Sequence, residues 1–354
     1  MQTDKGMSAD VVELRAALLG WYGENARDLP WRRTRDAYVV WVSEVMLQQT
    51  RVAAVVEYFG RFMREFPTLE ALAEAEEERV LAQWSGLGYY RRARMMHKAA
   101  RMIVAEFGGR MPETAAELRA LPGVGEYTAA AVASISHGEA VPVVDGNVER
   151  VLLRLCGPQL AEAGGNGKPA VGALRAAAQR FLDSQRPGEF NQAMMELGAT
   201  VCLPRNPQCG ECPVRAHCST QGEHETGPAK QMRSRQVAYV LMQRNWGPKT
   251  EVLLRRRGED ESQMPGMWEL PAAPEGGLPD ESVVLTVRHA ITNTNYYVTI
   301  YELPWEEKRT LKAPRGSLAW VKLRELGEVP LTGLTRKVLK RTKILPGTAK
   351  GALA

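Results

Sequence analysis

The chain has 354 residues, of which 44% are hydrophobic and 25% charged, ordinary values for a globular protein and long enough for two cores. No run approaches the roughly 18 apolar residues of a membrane span, and the first residues, Met1-Gln2-Thr3-Asp4-Lys5, lack the apolar stretch of a secretory signal, so a cytoplasmic location is expected. The net charge of +5 is divided unevenly. Residues 1–225 carry 25 Lys and Arg against 28 Asp and Glu, whereas residues 226–354 carry 21 against 13. If the first part binds a polyanion, bulk charge is not the reason.

Residues 9–200 read as successive helices. Apolar residues recur at three- and four-residue spacing over 37–59, 90–107, 127–136 and 168–182, with Gly and Pro between the segments. Within the first of these, Glu44 sits alone in the run VVWVSEVML. A carboxylate among apolar neighbours either faces solvent or is held protonated by burial, which would let it donate a proton near neutral pH. Gln48, Gln49 and Thr50 on the next turn add polar groups to the same stretch. Two clusters combine aromatics with arginines, Trp31 with Arg32, Arg33 and Arg35, and Tyr89-Tyr90 with Arg91, Arg92 and Arg94. Such sets suit bases and phosphates, although taken alone they more often mark a core aromatic beside a solvated basic face.

Leu121-Pro122-Gly123-Val124-Gly125 follows a short helix at 115–120 and opens another. Two glycines there permit a tight turn that leaves amide N–H groups free at a helix start, where phosphate binds without a basic surface. Asp145, in Val144-Asp145-Gly146-Asn147, precedes the helix 148–156. It reads as an N-cap, and amide hydrogen bonds to a capping carboxylate favour its charged form. Cys202, Cys209, Cys212 and Cys218 fall within seventeen residues. That spacing fits one structural zinc or an iron–sulfur cluster equally well. Cys156, in an apolar helix, reads as a small buried residue.

After Cys218 the texture changes. Residues 219–235 read as a linker, and 237–243, 251–256, 296–303 and 317–321 as short strands, followed by an amphipathic helix over 332–341.

Taken in this order, LPW at 29–31, SEVMLQQT at 43–50, GLGYY at 86–90, LPGVG at 121–125, VDGNV at 144–148, FNQA at 190–193 and the four cysteines resemble the iron–sulfur branch of the helix–hairpin–helix DNA glycosylases, and within it the MutY family of adenine DNA glycosylases. The resemblance implies an all-α helix–hairpin–helix glycosylase domain over 1–218, made of six-helix barrel and iron–sulfur subdomains. A linker over 219–235, a small α+β NUDIX-like lesion-recognition domain over 236–345 and a tail over 346–354 complete the expected organisation. It further implies a [4Fe–4S] cluster on Cys202, Cys209, Cys212 and Cys218. Catalysis would fall to Glu44 as the acid for adenine N7 and Asp145 as the stabiliser of the sugar cation, supported by Tyr127 and Asn147. Trp31 and Gln192 would line the adenine pocket, Gln48 and Tyr89 would wedge beside the opposite 8-oxoguanine, and Gly123, Val124 and Gly125 would hold DNA backbone. The partner would be double-stranded DNA with A:8-oxoguanine or A:G mispairs, bound by a monomer.

In the related endonuclease III pattern a Schiff-base lysine stands where this chain has Tyr127, and a phenol cannot form an imine, so hydrolysis without strand cleavage is expected. Another mismatch or oxidised-base glycosylase, or a non-catalytic iron–sulfur DNA-binding protein, are the alternatives. The C-terminal part carries no pyrophosphohydrolase box, and the family's Phe-Ser-His triplet is replaced by Ile291-Thr292-Asn293. Thr292 and Asn293, with Asn295, are the expected lesion contacts. Only sixteen positions separate Pro271 from Arg288, too few for the long helix of such domains.

Overall fold

A computed structural model describes residues 3–157, 160, 170–223, 232–244, 250–291, 293–314 and 316–346. The chain divides into two compact units, Met1–Met63 with Thr68–Ala73 and Lys98–Gly227, and Arg64–Pro67 with Glu74–His97 and Pro228–Ala354. The described helices run α1 (Thr3–Asn25), α2 (Ala37–Leu47), α3 (Val52–Glu65), α4 (Leu69–Glu74), α5 (Glu77–Trp84), α6 (Arg91–Phe107), α7 (Ala115–Leu118), α8 (Glu126–His137), α9 (Gly146–Cys156), α10 (Val171–Phe181) and α11 (Pro187–Thr200). None is long and apolar enough to cross a membrane.

In the first unit, α2 is apolar on all sides and accordingly buried from Val40 to Met46. It packs on α8, where Ala129, Ala131 and Ala133 are fully buried and let the two backbones approach closely. Thr114 and Glu117 form a reciprocal capping box that starts α7. The turn that follows has Gly123 at φ 76°, a left-handed conformation that favours glycine. A second core joins Leu14 and Leu18 of α1 to Val148, Val151 and Leu152 of α9 and to Phe190, Met194 and Leu197 of α11, with three of the cluster-loop cysteines against its margin.

The second unit holds strands β1 (Arg233–Leu241), β2 (Gln243–Arg244), β3 (Glu251–Arg256), β4 (Trp268–Glu269), β5 (Val283–Ile291), β6 (Thr294–Glu302) and β7 (Leu318–Lys322), then helix α12 (Gly333–Arg341) capped by Thr332. One sheet has the order β1-β6-β5, with β1 and β6 parallel; β2, β3, β4 and β7 form the other. Residues 74–97 belong to this unit. Ser85 Oγ and Tyr90 Oη both donate to the Leu331 carbonyl, at 2.6 and 3.1 Å, Arg94 donates to the Pro265 carbonyl at 2.6 Å, and Arg256 pairs with Glu78.

Several expectations need correction. The helix expected over 37–59 is two helices, because the chain breaks at Gln48–Arg51, with Gln49 at φ 55°. Residues 283–291, not expected as a strand, form β5, the edge of the first sheet. Part of the expected linker (224–231), most of the expected tail (347–354) and also Thr292 lie outside the described residues.

Candidate active site

The first unit contains a cavity of about 660 Å³ lined by Trp31, Glu44, Gln48, Gly123, Gly125, Tyr127, Asp145, Asn147 and Gln192, together with Arg27, Arg32, Met195 and Glu196. Glu44 reaches it from α2, Tyr127 from the first turn of α8, Asp145 and Asn147 from the start of α9, and Gln192 and Glu196 from α11.

Glu44 is 5% exposed, and burial pushes its carboxyl up to about 7. A hydrogen bond from Tyr127 Oη to Oε2, at 2.5 Å, pulls the other way, and the nearby Asp145 adds to the rise. The same hydroxyl lies 3.3 Å from Met195 Sδ. Burial first, and then the Glu44 charge, raises the Tyr127 phenol well above its ordinary value, so it remains protonated and donates.

Asp145 caps α9. Its Oδ1 accepts from the backbone N–H of Asn147 at 2.9 Å and of Val148 at 2.7 Å, while Oδ2 accepts from Asn147 Nδ2 at 3.2 Å. Asn147 is fixed in turn by Arg150, whose Nη2 donates to Asn147 Oδ1 at 2.9 Å and to the Gly198 carbonyl at 2.6 Å, and whose Nε donates to the Cys202 carbonyl at 2.8 Å. A Cβ at Gly198 would come within 2.7 Å of the Asn147 Cβ, so this contact between α9 and α11 requires glycine.

Trp31 is buried edge-to-face against Phe59, with ring centroids 5.2 Å apart. Gln192 Oε1 accepts from Tyr22 Oη at 3.3 Å, and Gln48 Nε2 donates to Thr128 Oγ1 at 3.1 Å. The buried Glu196 was not singled out from the sequence. Burial would raise its carboxyl, but Arg27 and Arg32, each 2.7 Å away, outweigh that and hold it down at about 2. A lone Glu in the apolar run AMMEL is the same signal that marks Glu44.

Other expected contacts are arranged differently. Arg32, Arg33 and Arg35, read as a phosphate cluster, pair with Glu196, Asp28 and Glu189. The Val124 N–H is bonded to the Leu121 carbonyl and its side chain is buried, which leaves the exposed Gly123 and Gly125 as the open part of the hairpin turn. Tyr89 lies in the second unit, 46% exposed at φ 49°, with the Arg92 guanidinium 5.5 Å from its ring. Asn293 is exposed in the two-residue turn between β5 and β6. Asn295 is 7% exposed and already accepts from Arg288.

The four cysteines line a second, smaller cavity beside Arg154. All are free thiols and half-buried. Burial pushes Cys212 up to about 11, and the neighbouring Cys202 and Cys218 add to the rise, so four thiolates here require positive charge between them. The buried Arg154 supplies part of it, donating from Nη1 to Cys202 Sγ at 3.3 Å. Among the described residues no three His, Cys, Asp or Glu converge as a site for one ion.

Residues 42–162 match the family described as HhH-GPD superfamily base excision DNA repair protein, and residues 202–218 match the iron–sulfur binding domain of endonuclease III. Residues 42–162 thus carry an HhH-GPD domain. The chain's curated relatives include the adenine DNA glycosylases of Homo sapiens, 51% identical over 219 residues (59% of this chain, 40% of that protein), and of Arabidopsis thaliana, 38% identical over 322 residues (79% and 50%). The chain thus spans about half or less of the length of these two relatives. Among solved structures, the thermostable thymine-DNA glycosylase is similar, with TM-score 0.55 and 28% identity over 60% of this chain and 97% of that one. An endonuclease III–DNA covalent intermediate shares the fold, with TM-score 0.51 and 22% identity over 62% and 98%. The 115–137 hairpin lies inside the HhH-GPD match, and Cys202, Cys209, Cys212 and Cys218, which lie within the iron–sulfur domain match, would hold a [4Fe–4S] cluster.

Proposed function

We propose that the chain removes adenine from DNA by hydrolysing its N-glycosidic bond, acting on adenine opposite 8-oxoguanine or guanine and leaving an abasic site. The observation that carries this reading is the meeting of a carboxyl raised to about 7, Glu44, and a capped carboxylate, Asp145, in one cavity of a base-excision fold.

Adenine leaves poorly as an anion, so the ring must gain a proton as the bond breaks. Protonated Glu44 gives that proton to N7. The C1′–N9 bond then breaks with its electron pair passing to the purine, and adenine departs neutral. The positive charge left on the sugar is stabilised by the Asp145 carboxylate, and water adds at C1′ with loss of a proton. This is the two-carboxylate logic of glycoside hydrolysis applied to a nucleoside. The base is inaccessible in a stacked duplex and must be extruded into the cavity, where Trp31 and Gln192 line the walls. Gly123 and Gly125 offer an exposed turn at the start of α8 for the DNA backbone. The cluster, on its four cysteines, supplies a structural cross-link and positive charge rather than reacting atoms.

Lesion preference is assigned to the NUDIX-like second unit, through Thr292 and the exposed Asn293. Single-turnover release of free base from duplexes carrying A opposite 8-oxoguanine, A opposite guanine and T opposite guanine tests the whole reading. Adenine release, fastest opposite 8-oxoguanine, is expected; thymine release would establish the mismatch alternative instead. Unchanged discrimination in the Thr292→Ala, Asn293→Ala double variant would sink the lesion assignment alone.

A further inference from the structure

The outer face of the β1-β6-β5 sheet is open at the end nearest the β5–β6 turn. In register, Gln236, Tyr297 and Arg288 form one row across the three strands, and Ser234, Asn295 and Ala290 the row beside the turn. The next row away from the turn, Val237, Val298 and Val287, points the opposite way into the core, as strand alternation requires. Farther along the outer face, Val240 is covered by Leu303 and Leu311, but this cover stops short of the first rows. Gln236, Ser234, Thr286, Arg288 and Ala290 are therefore exposed, and Tyr297 is 48% exposed.

This open area has a built centre. The Arg288 guanidinium is held by the nearly buried Asn295, whose Oδ1 accepts from Nε at 3.2 Å and from Nη2 at 3.0 Å. Direct cross-strand pairing keeps Arg288 beside the Tyr297 ring. At the β5 edge, Lys337 of α12 donates to the Arg288 carbonyl at 2.7 Å and lies in the field of Arg341. Among the described residues none of these three cations pairs with a carboxylate, and no residue of the open rows is acidic.

A pre-oriented guanidinium, a second cation and an exposed ring on a flat polar sheet form a platform on which an unpaired base stacks while its phosphates meet positive charge. A second copy of this chain fits poorly, because it would set Arg288, Lys337 and Arg341 against their own counterparts. We propose that the outer face of the β1-β6-β5 sheet binds an unpaired stretch of a DNA strand, with a base stacked on Tyr297 and the flanking phosphates on Arg288 and Lys337. The choice of DNA as the polyanion rests on the function proposed above.

The test uses the full-length protein with its cluster and a fluorescently labelled single-stranded oligothymidylate. Tyr297→Ala is expected to weaken binding about tenfold, within the range for one base–aromatic stack. Arg288→Gln is expected to flatten the salt dependence by roughly 0.7 of a log–log slope, the value for one phosphate contact on a single strand. Single-turnover adenine release at saturating enzyme stays as in the parent for both variants. Unchanged affinity and salt slope in both variants would overturn the proposal. So would a concentration-dependent dimer that Tyr297→Ala dissolves while oligonucleotide binding is untouched, since the face would then belong to a second copy. If the parent releases no adenine yet binds the oligonucleotide through Tyr297 and Arg288, the proposed function fails and the platform stands.

Discussion

Tyr127 donates its hydroxyl proton to Glu44 across 2.5 Å, and each group shifts the other. The phenol lowers the carboxyl that burial has raised to about 7, and the carboxylate helps keep the phenol protonated. Because the proposed chemistry needs protonated Glu44, the single-turnover rate is expected to fall as pH rises through about 7, with the slope of one proton. Tyr127→Phe removes the contact that lowers Glu44, so this limb moves to higher pH. A limb that stays in place would break the link between the two residues.

Glu44→Gln is expected to cut base release by about 10²–10⁴-fold, the usual contribution of a positioned acid. Stability moves in the opposite direction. A carboxyl whose folded-state value is raised from 4.5 to about 7 leaves stability intact below pH 4.5 and erodes it up to about pH 7. The glutamine variant therefore gains stability over the parent above that pH, by roughly 3–4 kcal/mol at most. Urea unfolding at pH 5 and pH 8 measures the difference.

Glu196 behaves in the reverse sense. Its folded-state carboxyl is held near 2, so its contribution is present above about pH 4.5 and is lost as pH falls towards 2. Arg32→Met strips one partner from a carboxylate with no exposed surface and is expected to cost about 3–5 kcal/mol at pH 7, as for other broken buried pairs. Thermal unfolding with acid titration would show the loss, together with a weaker acid dependence.

Iron and sulfide analysis, with the broad violet absorbance of an iron–sulfur chromophore, checks the cysteine loop. Cys212→Ser should lose iron, while Cys156→Ser, outside the loop, should keep it. Arg154→Leu removes a buried cation bonded to Cys202 Sγ and is expected to retain less iron than the parent after chelator challenge.

The positions of Asp145 and Glu44 are legible in the sequence because both residues obey local rules. Asp145 caps the helix it precedes, and the lone Glu44 of an apolar helix is buried, as its neighbours demand. What escaped notice depends on tertiary partners. The break after Leu47 has neither Gly nor Pro to mark it, and Gln49 takes a left-handed conformation that sequence propensity disfavours. The arginines near Trp31 read as a phosphate cluster because the carboxylates that absorb two of them, Glu189 and Glu196, lie some 150 or more positions away. The allegiance of residues 74–97 to the second unit rests on Ser85, Tyr90 and Arg94 bonding to carbonyls of Leu331 and Pro265, which no local pattern foretells.

Arg150 carries a consequence for how damage to this protein would present itself. It bonds the backbone of Cys202 with one edge of its guanidinium and the side chain of Asn147 with another, and Asn147 in turn bonds Asp145. Dismantling the cysteine loop would thus slacken Asp145, the carboxylate of the proposed mechanism, through just two intervening side chains. Such an injury would silence base removal while leaving every reacting atom chemically intact.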